Sequence, residues 1–548
     1  MSVPCRPFLA LATATASLGS LAQAQILPAP PVPAGNPLTA AKALLGKALF
    51  WDEQLSSSRT VACGTCHVFA HGGGDPRTAA SLHPGYDGSF GTVDDSRGSP
   101  GVVRHDAQGH FVRDAIFGIR PQVTPRKAPS PINAAYAIEL FWDGRAGDVF
   151  RDPVTNSVLL PSGGALESQI AAPPLSEGEM SHIGRSWTAI AADLANCTPL
   201  ALADQLPAPL QTFVQGHTYA SLFQQVYGSP GVTPTRIIFA IASYERTLIS
   251  DQSPFDLSLV NQGTLTVQEN RGLTKFRGLC ATCHTDVNPG VLITGPVLHD
   301  FHNVGVRPGV EDPGRATVTS NPVDMGKFKV PGLRNVALRA PFFHNGSRNT
   351  LTNVVDFYAL GGQFTFDPLV INIPGQLSAQ DKLDIVAFLN TMTDPRVAGE
   401  LPPFDRPRLW SEGANTPTVF GVGTTGSGGF VPGSVAVLPA YAGNTAYTVG
   451  VDRVPGGSFQ FLVWDLFANT TPTVLLGQNV YLGMTPNLIF ASMPQLTSGT
   501  GPGGGINQYS FAIPPGFAGT TLFGQWLTLD PQGPNGMTVS DAFGLPLF

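Results

Sequence analysis

Apolar side chains recur at helical spacing in several segments before residue 400. Residues 40–50 follow Thr39, which is placed to cap a helix, and residues 237–248 show the same periodicity. Residues 378–392 form a third amphipathic pattern, which Ser378 begins as an N-cap. Long connections rich in Gly and Pro separate these segments. The pattern therefore predicts a mainly α fold with long loops for this part of the chain.

The pattern changes after about Glu412. From there to Phe548 charges nearly vanish, and short runs of Val, Phe, Tyr, Leu and Thr alternate with Gly, Pro and Asn turns. This alternation predicts an all-β, antiparallel sandwich. The block has no His, Cys or Lys and a single Arg, Arg453, so it lacks the usual ligands and bases. We expect a non-catalytic block, either a stabilising appendage or a link to a cell surface or polymer, whose removal leaves the chemistry intact.

Composition bounds the number of domains and the kind of partner. The 548 residues suffice for about two to four domains, each with its own core. Charged residues make up 13% and the net charge is -7 without any basic run, which argues against nucleic acid or anionic lipid as a partner. A small or neutral partner is favoured.

The first 24 residues have the three parts of a secretory signal peptide. Arg6 precedes a largely apolar run from Phe8 to Ala22, and Ala22-Gln23-Ala24 has the small residues of a cleavage site. The alternative, a short membrane anchor, is disfavoured because the run is shorter than the roughly 18 residues that span a bilayer. We therefore expect cleavage near Ala24, no membrane span, and a periplasmic or secreted protein.

The candidate chemistry lies in two copies of one motif. Cys63-Gly64-Thr65-Cys66-His67 and Cys280-Ala281-Thr282-Cys283-His284 have the spacing at which two thiols capture the haem vinyl groups while the next residue ligates iron. They predict two covalently bound haem c groups, with His67 and His284 as proximal ligands. Zinc is the alternative, but each Cys pair would then need further ligands, and export favours the compartment where c-type cytochromes are assembled.

These motifs divide the chain into predicted units. After the signal peptide at 1–24 we expect a haem c domain at 25–260, a second haem c domain at 261–408 and the β-sandwich at 409–548. Cys197 has no disulfide partner in this scheme and is predicted to be a small buried apolar residue.

Five further stretches resemble one known family. They are Leu45-Gly46-Lys47-Ala48-Leu49-Phe50, Phe141-Trp142-Asp143-Gly144-Arg145-Ala146, Glu245-Arg246-Thr247-Leu248, Phe328-Lys329-Val330-Pro331-Gly332-Leu333-Arg334-Asn335-Val336 and Ala340-Pro341-Phe342-Phe343-His344-Asn345-Gly346. With the two motifs they resemble, over about residues 38–395, the bacterial di-haem cytochrome c peroxidases and their relative MauG, the di-haem enzyme that matures the tryptophylquinone of methylamine dehydrogenase. An insertion at 148–166, with a predicted hairpin that turns at 153–156, departs from the family pattern.

The resemblance implies roles for three residues near the first haem, the one that binds peroxide. Trp142 matches the family Trp that lies between the haems and is the candidate relay for electrons or holes. Gln169 and Glu179 match residues that the family places over the peroxide-binding iron. Glu179 is the acid–base candidate, because O–O cleavage needs a proton moved from the inner to the outer oxygen. Glu167 and Glu177 are nearby alternatives.

The resemblance also implies a sixth ligand for the second haem. Fourteen residues after His344 the peroxidases have Met and the MauG branch has Tyr; this chain has Tyr358. A phenolate stabilises oxidised iron and a thioether favours reduced iron, so we expect a haem held by His284 and Tyr358 to store oxidising equivalents. A packing role for Tyr358 is the alternative, with Met180 and Met325 as other candidate ligands.

The first haem has no obvious distal histidine. His71, His83, His105 and His110 all lie in the long stretch after the first motif, and His83 has the best spacing from His67. A lone loop His is more often solvated than a ligand, so we expect an open or water-bound iron, as peroxide requires.

Calcium between the haems is typical of this family, bound by an Asn side chain and two backbone carbonyls. The matching positions here are Lys127 and the carbonyls of Arg339 and Pro341. A Lys cannot ligate calcium, and its ammonium is an alternative occupant of the site. Calcium therefore stays an alternative that Lys127 disfavours.

Together these features predict a peroxidase-like oxidoreductase. It would react with hydrogen peroxide at the His67 haem and share the oxidising equivalents with the second haem through Trp142, with electrons from a small redox protein or an organic donor. The alternatives are a classical cytochrome c peroxidase that detoxifies peroxide, a pure electron-transfer di-haem cytochrome, and an oxygenase of a polymer or hydrocarbon that the β block holds.

Overall fold

A computed structural model describes residues 26–285, 300–364, 373–486, 488–490 and 494–548. The predicted signal peptide lies outside these residues. The α-helices of the described residues are α1 (Ala40–Phe50), α2 (Cys63–Cys66), α3 (Ala165–Ile170), α4 (Trp187–Ala195), α5 (Ala208–Val214), α6 (Tyr219–Tyr227), α7 (Pro234–Glu245), α8 (Pro254–Leu259), α9 (Val267–Leu279), α10 (Ala316–Thr319), α11 (Leu351–Ala359), α12 (Ala379–Asn390) and α13 (Pro395–Ala398). They all precede residue 400, as the helical periodicity predicts.

Strands occur along the whole chain but are long only near its end. They are β1 (Leu82–His83), β2 (Ser96–Arg97), β3 (Pro100–Val103), β4 (Pro121–Val123), β5 (Phe150–Arg151), β6 (Val158–Leu160), β7 (Phe301–His302), β8 (Phe328–Lys329), β9 (Thr418–Phe420), β10 (Gly433–Val435), β11 (Tyr447–Val454), β12 (Phe459–Asp465), β13 (Ala468–Leu475), β14 (Gln478–Leu482), β15 (Ile489–Phe490), β16 (Gln495–Leu496), β17 (Gly505–Phe511), β18 (Thr521–Leu529) and β19 (Met537–Pro546). Strands β1 to β8 are two to four residues long, so helices and loops carry the packing before residue 400.

A first core forms around the crossing of α1 and α7. Thr39 caps α1 as predicted, whereas α7 begins three residues before the predicted segment because Thr233 is its cap and Pro234 fits the first helical position. The helices approach so closely that a Cβ on Gly46 would lie 1.9 Å from the Ala240 carbonyl oxygen. Glycine is therefore required at this crossing.

A second core repeats this arrangement with α9 and α12. Ser378 caps α12, and its hydroxyl and the Asp381 carboxylate form the predicted capping box. A Cβ on Gly272 of α9 would lie 1.9 Å from the Asp384 carbonyl oxygen, which matches the close approach in the first core. The two helix pairs thus share one packing geometry.

Two loops that follow the same path lie beside these cores. Residues 133–146 align without a gap with residues 335–348: Asn133 and Asn335 have positive φ, each precedes a 3-10 turn, and each hydrogen-bonds to the chain just after the last helix of its core. In this alignment Trp142 corresponds to His344. The chain therefore uses one loop design twice.

Two smaller predictions on the first core, the hairpin and the burial of Cys197, are confirmed. The insertion contains a hairpin in which β5 pairs antiparallel with β6. Cys197 is buried and makes no disulfide. No helix in the described part of the chain is long and apolar enough to cross a membrane.

Residues after 412 form antiparallel sheets that share one core, as predicted for a β-sandwich. One sheet has the strand order β15-β12-β18-β19-β9, with β16 beside β12, and the other has the order β10-β11-β17. Their facing side chains pack together; examples are Val449, Val451, Leu462, Trp526 and Phe543.

The sandwich also contacts the first half of the chain, which the sequence analysis did not anticipate. Residues 103–120, from the first half of the chain, pack on the sandwich through the apolar side chains of Phe111 and Ile119 and through an Arg120–Asp452 ion pair. The sequence does not show this contact, because its partners are far apart and follow no periodic pattern.

Candidate active site

Two large cavities enclose the two Cys-x-x-Cys-His motifs. The first cavity has a volume of about 630 Å³ and the second about 400 Å³, both within the range of about 300–1,000 Å³ that is typical of cofactor sites. A connecting cavity of about 130 Å³ shares lining residues with both. The motif residues at the walls are Cys63, Cys66 and His67 in the first cavity and Cys280, Cys283 and His284 in the second.

In the first motif, one helical turn, α2, presents both cysteines to the cavity. His67 follows it, and its Nδ1 lies 3.2 Å from the carbonyl oxygen of Gly73. An imidazole that donates from Nδ1 ligates metal through Nε2. Burial lowers the pKa of His67, so the ring is neutral, which is the state that binds iron.

The second motif begins at Cys280, which is the C-cap of α9, and its histidine makes a matching contact to the backbone. His284 Nδ1 lies 3.2 Å from the carbonyl oxygen of Pro331, which fixes the ring in the same way. Helix α11 brings Tyr358 to the wall of this cavity, together with the two motif cysteines. Burial raises the pKa of Tyr358, so its phenol ionises only beside a cation such as ferric iron. Met325, by contrast, is exposed and does not line the second cavity.

Trp142 lies between the motifs. Its side chain lines the first, second and connecting cavities. The indole Nε1 donates a hydrogen bond of 2.8 Å to the Lys127 carbonyl, and its ring centroid lies 6.3 Å from that of His344. Trp142 therefore lies at the wall that the cavities share, and its relay role stays a prediction.

The structure separates the three candidate carboxylates. Glu167 is buried in an ion pair with Arg246, with N–O distances of 2.8 and 3.0 Å, and is therefore committed to packing. Glu177 pairs with Arg104 and does not line the first cavity. Glu179 does line it, as does Gln169. Burial raises the pKa of Glu179, as an acid–base group in this position needs.

The sequence reasoning missed Glu245, a further buried carboxyl at the first cavity. It ends α7, is buried, and lines both the first and the connecting cavities. Burial raises the pKa of Glu245 to about 8. The Glu245-Arg246-Thr247-Leu248 stretch held the signal, but only as part of a family resemblance.

The histidines after the first motif divide into three environments. His83 lines the first cavity and its Nδ1 accepts a hydrogen bond from the Gly85 amide. His105 is buried beside His182, while His110 is exposed and pairs with Asp106. Met180 also lines the first cavity.

Lys127 occupies the position at which the family resemblance implies a calcium ligand. Its buried ammonium donates a hydrogen bond of 2.6 Å to the Arg339 carbonyl and another to the Pro341 carbonyl. These are the two carbonyls expected to bind calcium. A cation therefore already satisfies them, and the residues present do not fit calcium.

Comparison with known proteins identifies the family. The sequence model described as di-haem cytochrome c peroxidase matches residues 40–264. The methylamine utilization protein MauG of Methylorubrum extorquens is 30% identical over 379 residues, which cover 68% of this chain and 84% of the relative. The chain belongs to the di-haem cytochrome c peroxidase family. Another member, the cytochrome-c peroxidase IdrP1 of Pseudomonas sp. strain SCT, is 29% identical over 426 residues, which cover 70% of this chain and 90% of the relative. A solved MauG-like protein associated with microbial copper homeostasis is 26% identical, with a TM-score of 0.49, and covers 70% of this chain and 97% of that one.

As a di-haem cytochrome c peroxidase family member, the chain is a peroxidase-type oxidoreductase with two haem groups. The residues present fit these groups, because each large cavity brings together a neutral or backbone-bonded imidazole and two thiols. Peroxide is the substrate class that the family implies.

Proposed function

We propose that the chain consists of two tandem c-type cytochrome domains, within residues 25–260 and 261–408, followed by the sandwich at 409–548. Each haem would be attached through the two cysteines of one motif and ligated by His67 or His284. The repeated helix crossing at Gly46 and Gly272 and the repeated loop support this division, because each motif then has the same scaffold.

Peroxide would react in the first cavity. Haem iron supplies peroxide binding and one-electron chemistry there. Glu179 would take a proton from one peroxide oxygen and deliver it to the other, and burial raises the pKa of Glu179, which favours the protonated form. Gln169 lies at the same wall, where its amide can orient peroxide by hydrogen bonding.

The haem in the second cavity would share the oxidising equivalents that the reaction with peroxide generates in the first cavity. Trp142 would carry them, since it lines both large cavities, as its neighbour His344 also does, and this observation supports the proposal most strongly. Tyr358 would hold the second iron through its phenolate, as the resemblance to MauG implies. An anionic ligand lowers the potential and so favours storage of the equivalents over rapid reduction.

The setting of the reaction would be the periplasm or the outside of the cell. The signal peptide pattern supports export, and c-type haem attachment is a chemistry of exported proteins. A small redox protein or an organic molecule would donate the electrons.

An electron paramagnetic resonance spectrum of the resting ferric protein, taken before and after one equivalent of hydrogen peroxide, tests this function. We expect a high-spin signal from the first haem that changes on addition of peroxide. Glu179→Gln should slow this change by about two to four orders of magnitude, the usual contribution of a placed acid–base group. Two low-spin signals that persist with peroxide would instead indicate a pure electron carrier.

A further inference from the structure

Residues 100–123 form an arm between the sandwich and the first cavity. Strands β3 and β4 pair antiparallel at its base, and short bridges His105–Phe111 and Asp114–Gly118 continue it outward. An isolated hairpin of this size is marginally stable in water. The arm therefore depends on what packs against it.

The outer face of the arm packs against the sandwich. The Arg120 guanidinium binds the Asp452 carboxylate of β11 through two hydrogen bonds of 2.7 and 2.8 Å. The backbone N–H and C=O of Phe111 both bond to the Gln508 side chain of β17, at 2.6 and 3.2 Å.

Apolar burial adds to these polar contacts. Phe111 and Ile119 are only 5% and 1% exposed, because they pack with Val103 against Val435 of the sandwich. Without the sandwich these side chains would face water. Burial of these apolar side chains stabilises the arm against the sandwich.

The inner face of the arm contacts the loop that carries Glu179, residues 176–183. A Cβ on Gly101 would lie 2.2 Å from the Gly178 carbonyl oxygen and 2.7 Å from the Glu179 Cα, so the two backbones touch. The Ile183 amide donates a hydrogen bond of 3.0 Å to the His105 carbonyl. The Arg104–Glu177 ion pair adds a third link.

The arm also forms part of the cavity wall itself. Its residues at the first cavity are Pro100, Gly101, Asp114, Ile116, Phe117, Gln122 and Val123. One segment thus touches the sandwich on one side and the peroxide cavity on the other.

We propose that the sandwich braces the peroxide site: it holds the arm, and the arm holds the Glu179 loop at the wall of the first cavity. Arg120 is the positioning residue of this contact. The catalytic consequence rests on the proposed role of Glu179. The structural claim does not depend on that role, since it concerns how firmly residues 176–183 are held in place.

Hydrogen–deuterium exchange of the haem-loaded protein tests the structural claim. In Arg120→Ala we expect exchange of the amides in residues 101–105 and 176–183 to rise about fivefold, as expected for loss of one partly exposed bidentate pair. The charge swap Arg120→Asp with Asp452→Arg should restore protection. Arg453→Ala is the matched control, since Arg453 also contacts Asp452 but from within the sandwich.

The reaction with hydrogen peroxide tests the catalytic consequence. Arg120→Ala should react about tenfold more slowly with unchanged resting haem spectra, because misplacing a reacting group by about 1 Å can cost up to about a hundredfold. The charge swap should recover the rate.

The outcomes separate the brace from the role of Glu179. If exchange in residues 176–183 is the same in Arg120→Ala as in the parent, the brace is wrong whatever Glu179 does. If exchange rises while the peroxide rate stays at the parent value and Glu179→Gln is slow, the positioning role is wrong. If Glu179→Gln itself reacts at the parent rate, the proposed acid–base role is wrong. The brace is then tested only by the hydrogen–deuterium exchange of residues 176–183 in Arg120→Ala.

Discussion

Replacing Lys127 by Asn is expected to make the region between the haem cavities depend on calcium. In the parent, the Lys127 ammonium bonds to the carbonyls of Arg339 and Pro341. The substitution removes the ammonium group, and the Asn side-chain carbonyl offers a third oxygen beside the two backbone carbonyls. Three oxygens with added waters suit calcium, which takes about six to eight oxygen ligands.

The contacts of Lys127 give the expected magnitudes. Without calcium the variant leaves two buried carbonyls without a donor, at about 1–3 kcal/mol each, offset in part because no charge is buried. Calcium at 100 times its Kd would return about 2.7 kcal/mol. For a unit of 150–250 residues, each kcal/mol corresponds to about 2–4 °C in Tm, so the calcium-induced rise is about 5–10 °C.

The comparison must be made at one pH. Burial lowers the pKa of Lys127 from 10.5 to about 7. Because the folded pKa lies below the unfolded one, the stabilising contribution of Lys127 is complete above about pH 10.5 and falls as the pH drops toward 7. Measurements of parent and variants at pH 6, below the pKa of Lys127, keep its ammonium charged throughout the comparison.

The assay is thermal unfolding with calcium or with a chelator. We expect a calcium-dependent Tm for Lys127→Asn only; the parent and Lys127→Met, which offers no oxygen, should be insensitive. A parent Tm that rises with calcium would refute the reasoning, since the ammonium would then not be the resident cation. An insensitive Lys127→Asn would show that the carbonyl pair cannot accept a metal.

Two further substitutions test the second haem unit. Tyr358→Met should raise the potential of the second haem by on the order of 0.1 V, because a thioether replaces an anionic ligand, and should shorten the life of the peroxide-oxidised state; an unchanged redox titration would leave Tyr358 as a packing residue. Gly272→Ala should destabilise the protein by about 3 kcal/mol or more, since its Cβ would meet the Asp384 carbonyl, and thermal unfolding beside Gly147→Ala, which faces open space, checks this.

The features predicted correctly from the sequence are local ones. The caps at Thr39 and Ser378 depend on residues a few positions apart, and their geometry follows from that spacing. The hairpin of β5 and β6 was predictable in the same way from its turn residues. Trp142 was singled out through family resemblance and lines both large cavities, while its relay role stays a prediction.

Tertiary contacts separate the three glutamates, of which the family resemblance had already favoured Glu179. Glu167, Glu177 and Glu179 are equivalent as residue types in a short stretch, and they differ only in what meets them. Arg246 reaches Glu167 from α7, and Arg104 reaches Glu177 from the arm, so Glu179 alone of the three faces the first cavity. No local pattern contains this information.

The sequence contains the internal repeat only as a weak signal. Residues 133–146 and 335–348 align without a gap, yet few of their residues are identical, and the repeat shows mainly in backbone conformation. Phe141 and Phe343, the residues just before Trp142 and His344, both have positive φ. This shared backbone conformation identifies the repeat better than side-chain identity does. Positive φ is uncommon for a bulky residue, so its occurrence in both loops marks a repeated turn design rather than chance.

The proposed chemistry arises where the two copies of the scaffold differ. Equal haem units would pass electrons in either direction without preference, so a peroxide reaction at one site needs asymmetry. The first unit supplies it with the Glu179 loop at its cavity, and the second with Tyr358 on α11. At the junction the repeated turn carries Trp142 in one copy and His344 in the other, and these rings lie 6.3 Å apart. Burial lowers the pKa of His344 to about 3, so the His344 ring stays neutral and adds no charge beside the indole. A neutral neighbour leaves Trp142 easier to oxidise than a cationic one would, which suits the relay role that the proposal gives it.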